Sequence, residues 1–185
     1  MKKRLQYLLI CSFFLVSPAF AWNEPDGFKG LKWGDPPSEI EASFPKGKTL
    51  PELEQLFKVD ARSSYIQRFN ITIGDIRTGG LFYFLDGGFV HLSLLIKSAQ
   101  FLILAAIFRE RYGEPHAERE EVVKTKAGAQ FTNKILSWQG ENVTIRLQRY
   151  GSRIDTGEAE MGLKSWREYL LKKTGKQVKD AAKDL

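Results

Sequence analysis

The feature that constrains this chain most is a turn signal between two apolar strands. Residues 81–85 and 89–96 flank Asp86-Gly87-Gly88, and Asp-Gly between hydrophobic runs strongly indicates a β-hairpin. A two-residue turn at 86–87 places on one face Phe82, Phe84, Phe89 and His91. A turn that includes Gly88 shifts the pairing and places on one face Leu81, Tyr83, Leu85, Phe89 and His91. In both registers the two faces are apolar. One face is expected to cover the helix at 99–112, and the other must be covered by the C-terminal helix or residues 49–59, or form an exposed aromatic surface that binds a partner or ligand.

Other strands follow from apolar residues that recur with period two. This alternation runs over residues 65–73, is interrupted at Gly79-Gly80, and returns at 135–138, 143–150 and 159–163. Residues 140–142 separate the two strands of a second hairpin. Residues 116–134 are polar, with Val122-Val123 as the one hint of a strand and residues 127–129 as a flexible tip.

Four helices are predicted from capping residues and helical spacing. Asp35 as N-cap and Pro36 at the first helical position begin a short helix that ends by Pro45. Residues 50–59 have the apolar face of a second helix. Ser98 caps a third over residues 99–112, which is apolar on nearly all sides and is therefore expected to be buried. A capping box at residues 165–168 opens the fourth, which is expected to end at Gly175.

This order of elements predicts an α+β protein. Two tandem units, each a helix followed by an antiparallel hairpin, span about residues 28–97 and 98–163. They are expected to form one sheet with the helices packed on one face, closed by the helix at 165–174. Residues 22–174 then make a single domain, and residues 175–185 a basic C-terminal tail.

The first 21 residues have the composition of a secretory signal peptide. Lys2, Lys3 and Arg4 precede an apolar run that ends at Pro18, and Ala19-Phe20-Ala21 is a cleavage site for signal peptidase. The run is too short to span a membrane. Loss of the three basic residues lowers the formal charge from +6 to +3. Because most of the remaining positive charge lies at the C-terminal end, in residues 164–185, the basic composition of the chain does not indicate a nucleic-acid partner.

Few residues are of the kind that carries out catalysis or binds metal. The single cysteine, Cys11, lies in the signal peptide and follows Ile10, which is too large for a lipoprotein signal. The two histidines, His91 and His116, lie in different predicted elements, and no Gly-x-Ser-x-Gly motif is present. Glu158 and Glu160 share one face of a strand with polar neighbours. We expect no enzyme activity, no metal and no cofactor.

Several short segments resemble a group of small uncharacterised secreted bacterial proteins. They are Gly-Leu-Lys-Trp-Gly at 30–34, Gly-Gly-Leu-Phe-Tyr-Phe at 79–84 and Arg-Tyr-Gly-Glu-Pro at 111–115. The tandem layout over residues 28–163 also resembles the β-lactamase-inhibitor-protein-like fold, which is shared with a small lipoprotein of outer-membrane assembly. The resemblance implies a binding role, and the missing lipidation cysteine departs from that lipoprotein.

The sequence therefore favours an exported, non-catalytic envelope protein, periplasmic or secreted, that binds another protein. The candidate binding surface is the aromatic hairpin, with Phe82, Tyr83, Phe84, Phe89 and His91. A second candidate is the basic tail, where a helix could lie on an anionic membrane or in a partner groove, with Lys172, Lys173, Lys176, Lys179 and Lys183. The alternatives are a small-molecule or lipid carrier, with its ligand between the helix at 99–112 and the sheet, and a hydrolase that uses His91 with a carboxylate.

Cleavage before Trp22 is the first testable prediction. Small residues at Ala19 and Ala21 occupy the two positions that signal peptidase reads, so the exported protein should begin at Trp22. Mass spectrometry of protein from the envelope fraction measures its first residue. Export of a chain that still carries residues 1–21 would contradict the prediction, and Ala21→Arg should block cleavage.

Overall fold

The computed structural model describes residues 22–44 and 55–184. Within these ranges the helices are α1 (Pro37–Ser43), α2 (Phe101–Tyr112) and α3 (Lys164–Ala181). Two short strands, β1 (Gly27–Phe28) and β2 (Leu31–Lys32), form a small hairpin at the start. The strands of the large sheet are β3 (Leu56–Lys58), β4 (Ser63–Ile73), β5 (Ile76–Leu85), β6 (Gly88–Lys97), β7 (Ala117–Lys124), β8 (Gln130–Gln139), β9 (Val143–Gln148) and β10 (Thr156–Leu163).

The large sheet consists of two four-stranded meanders joined by their last strands. Its order in the described residues is β3-β4-β5-β6-β10-β9-β8-β7, and every neighbouring pair is antiparallel. The α+β class is confirmed. The prediction of tandem helix-plus-hairpin units is wrong, because each unit pairs four strands rather than two and the units join through the β6–β10 pair.

The helices lie on both faces of the sheet, which corrects the expectation that they share one. Leu104 and Phe108 of α2 are buried in the main hydrophobic core together with Ile40 of α1. Trp166 of α3 contacts Tyr83, which belongs to the opposite face of β5 because side chains alternate along a strand. The main core therefore lies on the α1 and α2 side, and α3 covers part of the other side.

The central hairpin has the predicted turn but not the predicted side-chain arrangement. Asp86 and Gly87 have φ of 52° and 84°, as a tight two-residue hairpin turn requires, and Leu85 pairs with Gly88. Tyr83 pairs with His91 whereas Phe84 pairs with Phe89, so Val90 is an extra residue in a β-bulge. The bulge turns His91 to the opposite face from Phe89, and neither predicted register contains this change.

Several predicted boundaries also differ from the structure. Residues 56–58 of the predicted second helix form β3, and residues 45–54 lie outside the described residues. Strand β5 continues through Gly79-Gly80. Helix α1 begins one residue late, and the Asp35 carboxylate accepts a hydrogen bond from the Lys32 N–H instead of capping the helix. Helix α3 has no side-chain cap at its N-terminus and does not end at Gly175.

The remaining elements agree with the sequence patterns. Strands β4, β9 and β10, the hairpin turn between β8 and β9, and the tip at 127–129 lie where the alternation predicts them. Helix α2 ends at Tyr112 before Gly113, whose φ is 85°. Its outer side is exposed rather than buried, however, with Leu102 at 71% and Ile103 at 61% exposure.

The predicted signal peptide lies outside the described residues, which begin at Trp22. The Trp22 indole packs against Tyr112 and His116. The Glu24 carboxylate accepts hydrogen bonds from the backbone of the β8–β9 turn. In the described ranges, no helix is long and apolar enough to cross a membrane.

Burial of the hairpin phenylalanines predicts a large loss of stability on their replacement. Phe82 and Phe84 have 0% exposure, and truncation of a buried phenylalanine costs about 3–5 kcal/mol. The Phe82→Ser, Phe84→Ser double variant should therefore unfold at room temperature, as measured by circular dichroism and urea denaturation. Leu102→Ser, at an exposed position of α2, is the control, and its free energy of unfolding is expected to change by no more than about 0.5 kcal/mol. A folded double variant would contradict their assignment to the core.

Candidate functional site

A row of aromatic side chains crosses four strands on the α3 side of the sheet. The strand register places Phe57, Tyr65, Tyr83 and His91 directly opposite one another on β3, β4, β5 and β6. The centroids of neighbouring rings are 5.2, 5.9 and 5.5 Å apart, within the range of favourable aromatic pairs. This aromatic row is the platform on which α3 packs.

Trp166 fixes the first turns of α3 on the aromatic row. Its ring lies 5.2 Å from that of Tyr83 and is stacked 6.1 Å from that of His91. Gly162, the residue of β10 opposite His91, makes room for the imidazole, because a Cβ there would lie 2.6 Å from His91 Nδ1. The aromatic row therefore ends at β10, and the sheet beyond it is polar.

A second contact anchors α3 near the edge of the sheet. The Asp60 carboxylate accepts hydrogen bonds from the Tyr169 hydroxyl at 2.5 Å, from the Lys173 ammonium and from the Ser63 backbone N–H. Lys173, and then Tyr169, hold the pKa of Asp60 far below its ordinary value. The stabilisation that the Asp60 carboxylate contributes is present above the pKa of this carboxyl in the unfolded chain. It is lost as pH falls through the lowered pKa of the folded protein.

Between α3 and the uncovered half of the sheet lies a groove of about 400 Å³. Its floor comes from strands β6 to β10, and its wall from Leu163, Trp166, Arg167 and Leu170. Three arginines line it, one each from β7, β9 and α3: Arg119, Arg146 and Arg167. We call this feature the arginine groove.

The arginines are only partly neutralised by carboxylates. Arg119 pairs with Glu121 at 3.2 Å, whereas Arg146 Nη1 lies 3.8 Å from Glu160 Oε2, too far for a hydrogen bond. Among the described carboxylates, none lies within salt-bridge distance of Arg167. With Glu160 as the one acidic residue among those that line it, the arginine groove carries a net positive charge.

His91 and Glu160 meet at one end of the arginine groove, with 3.9 Å between Nε2 and Oε1. Burial lowers the pKa of His91 to about 4. Burial, followed by repulsion from Glu158, raises the pKa of Glu160. His91 is therefore a neutral imidazole near pH 7, and titratable groups perturbed in this way are typical of functional sites. In the described residues, no serine or threonine hydroxyl forms a hydrogen bond with His91.

The structure separates the five residues of the predicted aromatic surface. Phe82, Phe84 and Phe89 have 0% exposure and belong to the main core, so the hairpin presents no exposed surface of phenylalanines. Tyr83 and His91 lie on the other face beneath Trp166. Of these five residues, His91 lines the arginine groove.

The other residues singled out from the sequence lie in three places. His116 Nδ1 accepts a hydrogen bond from the Gln139 N–H, outside the arginine groove. Glu158 accepts hydrogen bonds from Ser93 and Gln148. Residues 175–181 of the predicted tail form the second half of α3, residues 182–184 form a short 3-10 helix, and residue 185 lies outside the described residues. Lys173 is bound to Asp60, and the other lysines singled out there are exposed: Lys172, Lys176, Lys179 and Lys183.

The sequence pattern does not single out the three arginines of the groove. Arg146 lies on the polar side of the alternation in β9, which does predict that it faces away from the core. Nothing in that pattern places β7 and α3 beside it, because their positions depend on sheet order and on Trp166.

A larger cavity, of about 590 Å³, lies between α2 and the segment 23–32. Its lining combines apolar side chains, among them Phe28 and Ile107, with basic and acidic ones: Lys29, Lys32, Arg111, Glu24 and Asp26. Lys29 already donates a hydrogen bond to the Thr72 carbonyl at 2.7 Å. The space between α2 and the sheet, where a carried ligand was expected, is filled by core side chains such as Leu104 and Phe108.

Comparison with protein-family models, curated proteins and solved structures finds no match. In the described part of the chain, no group of three or more histidine, cysteine, aspartate or glutamate side chains is placed to hold a metal ion.

The lowered pKa of His91 predicts a loss of stability in acid. The His91 imidazole takes up a proton near pH 6.5 in the unfolded chain but only near pH 4 in the folded protein. Its contribution to the free energy of unfolding is therefore complete above pH 6.5 and falls below that pH. At about pH 5 the loss should be about 2 kcal/mol. Urea unfolding at two pH values, with nuclear magnetic resonance titration of the His91 ring, measures it.

His91→Gln should remove most of this pH dependence, whatever its effect on stability at neutral pH. His116→Gln, which replaces an exposed histidine, is the matched control and should keep the pH dependence. A His91 ring that titrates near 6.5 in the folded protein would contradict the prediction.

Proposed function

We propose that this chain is an exported, non-catalytic envelope protein that binds an acidic segment of a partner protein in the arginine groove. The proposal is carried by the three arginines that line one groove, Arg119, Arg146 and Arg167, where Glu160 is the one acidic residue of the lining. Guanidinium groups bind carboxylates through paired, charge-assisted hydrogen bonds, so an acidic ligand satisfies donors that the protein leaves without carboxylates.

The form of the arginine groove favours an extended segment over a compact anion. Its floor spans several strands, and Arg119 and Arg146 come from strands that are not neighbours. Trp166 and Leu170 add an apolar wall beside the charges. A peptide with alternating acidic and apolar side chains fits this arrangement, because successive side chains of an extended chain point in opposite directions.

Export is supported by the N-terminal sequence pattern, and a non-catalytic role by the surroundings of His91. A histidine base acts on a nucleophile or water within hydrogen-bond reach. The Glu160 carboxyl lies 3.9 Å from His91 Nε2, beyond hydrogen-bond distance, and no described serine or threonine hydroxyl forms a hydrogen bond with the imidazole. This pair keeps a hydrolase among the alternatives but supplies no nucleophile for it.

A small-molecule carrier is the second candidate, and the cavity beside α2 supports it. Its volume of about 590 Å³ falls in the range of small-ligand sites, and it joins apolar walls to Lys32 and Arg111. A ligand with an acidic group and an apolar body suits this lining.

Selection from a displayed random peptide library tests the proposed function. Peptides that bind the chain should be enriched in aspartate and glutamate, and fluorescence anisotropy then gives their affinities. Arg146→Gln and Arg167→Gln should each weaken binding by about tenfold or more, the usual contribution of a hydrogen bond to a charged group. Raised salt should weaken it further.

Arg153→Gln is the matched control, because this exposed arginine pairs with Asp155 away from the arginine groove. It removes the same charge and should leave affinity unchanged. Peptides without acidic enrichment, or equal effects of Arg153→Gln and Arg167→Gln, would refute the proposal. Binding of small organic acids that is lost with Lys32→Gln, but not with Arg167→Gln, would favour the carrier.

A further inference from the structure

The second half of α3 projects from the body of the protein. All residues from 174 to 183 are exposed, whereas Trp166 is buried and Tyr169 and Lys173 are partly buried against the sheet side. This half contains Gly175, which weakens a helix by about 1 kcal/mol relative to alanine. Most helices in proteins are stabilised by packing of one face, and in the described structure this half has no such packing.

One side of this helix carries a row of lysines. Lys172, Lys176, Lys179 and Lys183 are separated by four, three and four residues. With 3.6 residues per turn, Lys172, Lys176 and Lys179 fall within about 60° around the axis of α3 and extend over about 10 Å along it, and Lys183 follows just beyond the end of the helix at Ala181. All four are exposed, and Lys183 has a carboxylate partner in Asp180 at 2.9 Å. We call them the lysine row.

Two exposed apolar side chains lie beside the lysine row. Leu171 and Val178 have 65% and 64% exposure, and they lie about 100° around the helix from the lysines. Helices that lie on a lipid surface combine basic residues with such an apolar strip. The apolar strip lies on the side of α3 that faces away from Trp166 and Lys173, and the lysine row lies between that strip and the packed side of the helix.

We propose that the projecting half of α3 docks on a membrane surface that contains anionic phospholipids. The positive lysine row complements the negative headgroups, and Leu171 and Val178 reach the boundary of the acyl chains. Lys172 and Lys176 border a cavity together with Asp60, a carboxylate that repels an acidic segment there, whereas residues 177–183 are all exposed. A flat surface needs only one face of the helix. This inference does not depend on the arginine groove.

Flotation with lipid vesicles tests the proposal. The chain from Trp22 onward, which contains all of the described core, should bind phosphatidylglycerol vesicles and not vesicles of phosphatidylcholine alone. Each lysine near an anionic surface contributes about fivefold to the partition coefficient, so Lys176→Gln with Lys179→Gln should lower it about 25-fold. Glutamine keeps a high helix propensity, and circular dichroism verifies that the fold is unchanged.

The matched control is Lys124→Gln with Lys126→Gln, which makes the same change of net charge near the β7–β8 tip. It should retain binding to phosphatidylglycerol vesicles. Equal losses in the two double variants would overturn the assignment to α3, since overall charge would then be responsible. Absence of binding to phosphatidylglycerol vesicles at low salt would overturn it too. Binding of polyglutamate through these lysines, without vesicle binding, would do so in favour of an acidic protein.

Discussion

The contact of Trp166 with Tyr83 and His91 is the interaction on which the functional surfaces depend. It joins the start of α3 to the middle of the sheet, on the face opposite the main core. A helix held there forms one wall of the arginine groove, and its own second half is exposed. Together with the contact of Tyr169 and Lys173 with Asp60, the Trp166 contact fixes the position of both surfaces.

Two backbone features make that contact possible. The bulge at Val90 turns His91 away from the core while Phe89 stays in it, so the hairpin contributes side chains to the packing on both faces of the sheet. Gly162 leaves the space that the imidazole occupies. The aromatic row therefore stops at β10, and the sheet beyond it keeps a polar floor, where Arg146 and Glu160 face the groove.

The basic groups of α3 are divided among three roles by the way the helix sits. Arg167 faces the arginine groove, and Lys173 is neutralised by Asp60, which anchors the helix. The lysine row faces solvent. A simple count of charges in residues 164–185 treats these groups as one basic segment, although their surroundings differ in burial, in partners and in the ligand that each could bind.

The sequence determined most of the local structure, because period-two alternation, Asp86-Gly87 and Gly113 act through neighbouring residues. Strands β4, β9 and β10, the central turn and helix α2 follow from them. Tertiary structure alone decided the sheet order, the bulge at Val90, the side of the sheet that α3 covers and the meeting of Arg119, Arg146 and Arg167. Those features arise from contacts between residues far apart in the chain, and the hydrophobic pattern of a single segment contains no information about its distant neighbours.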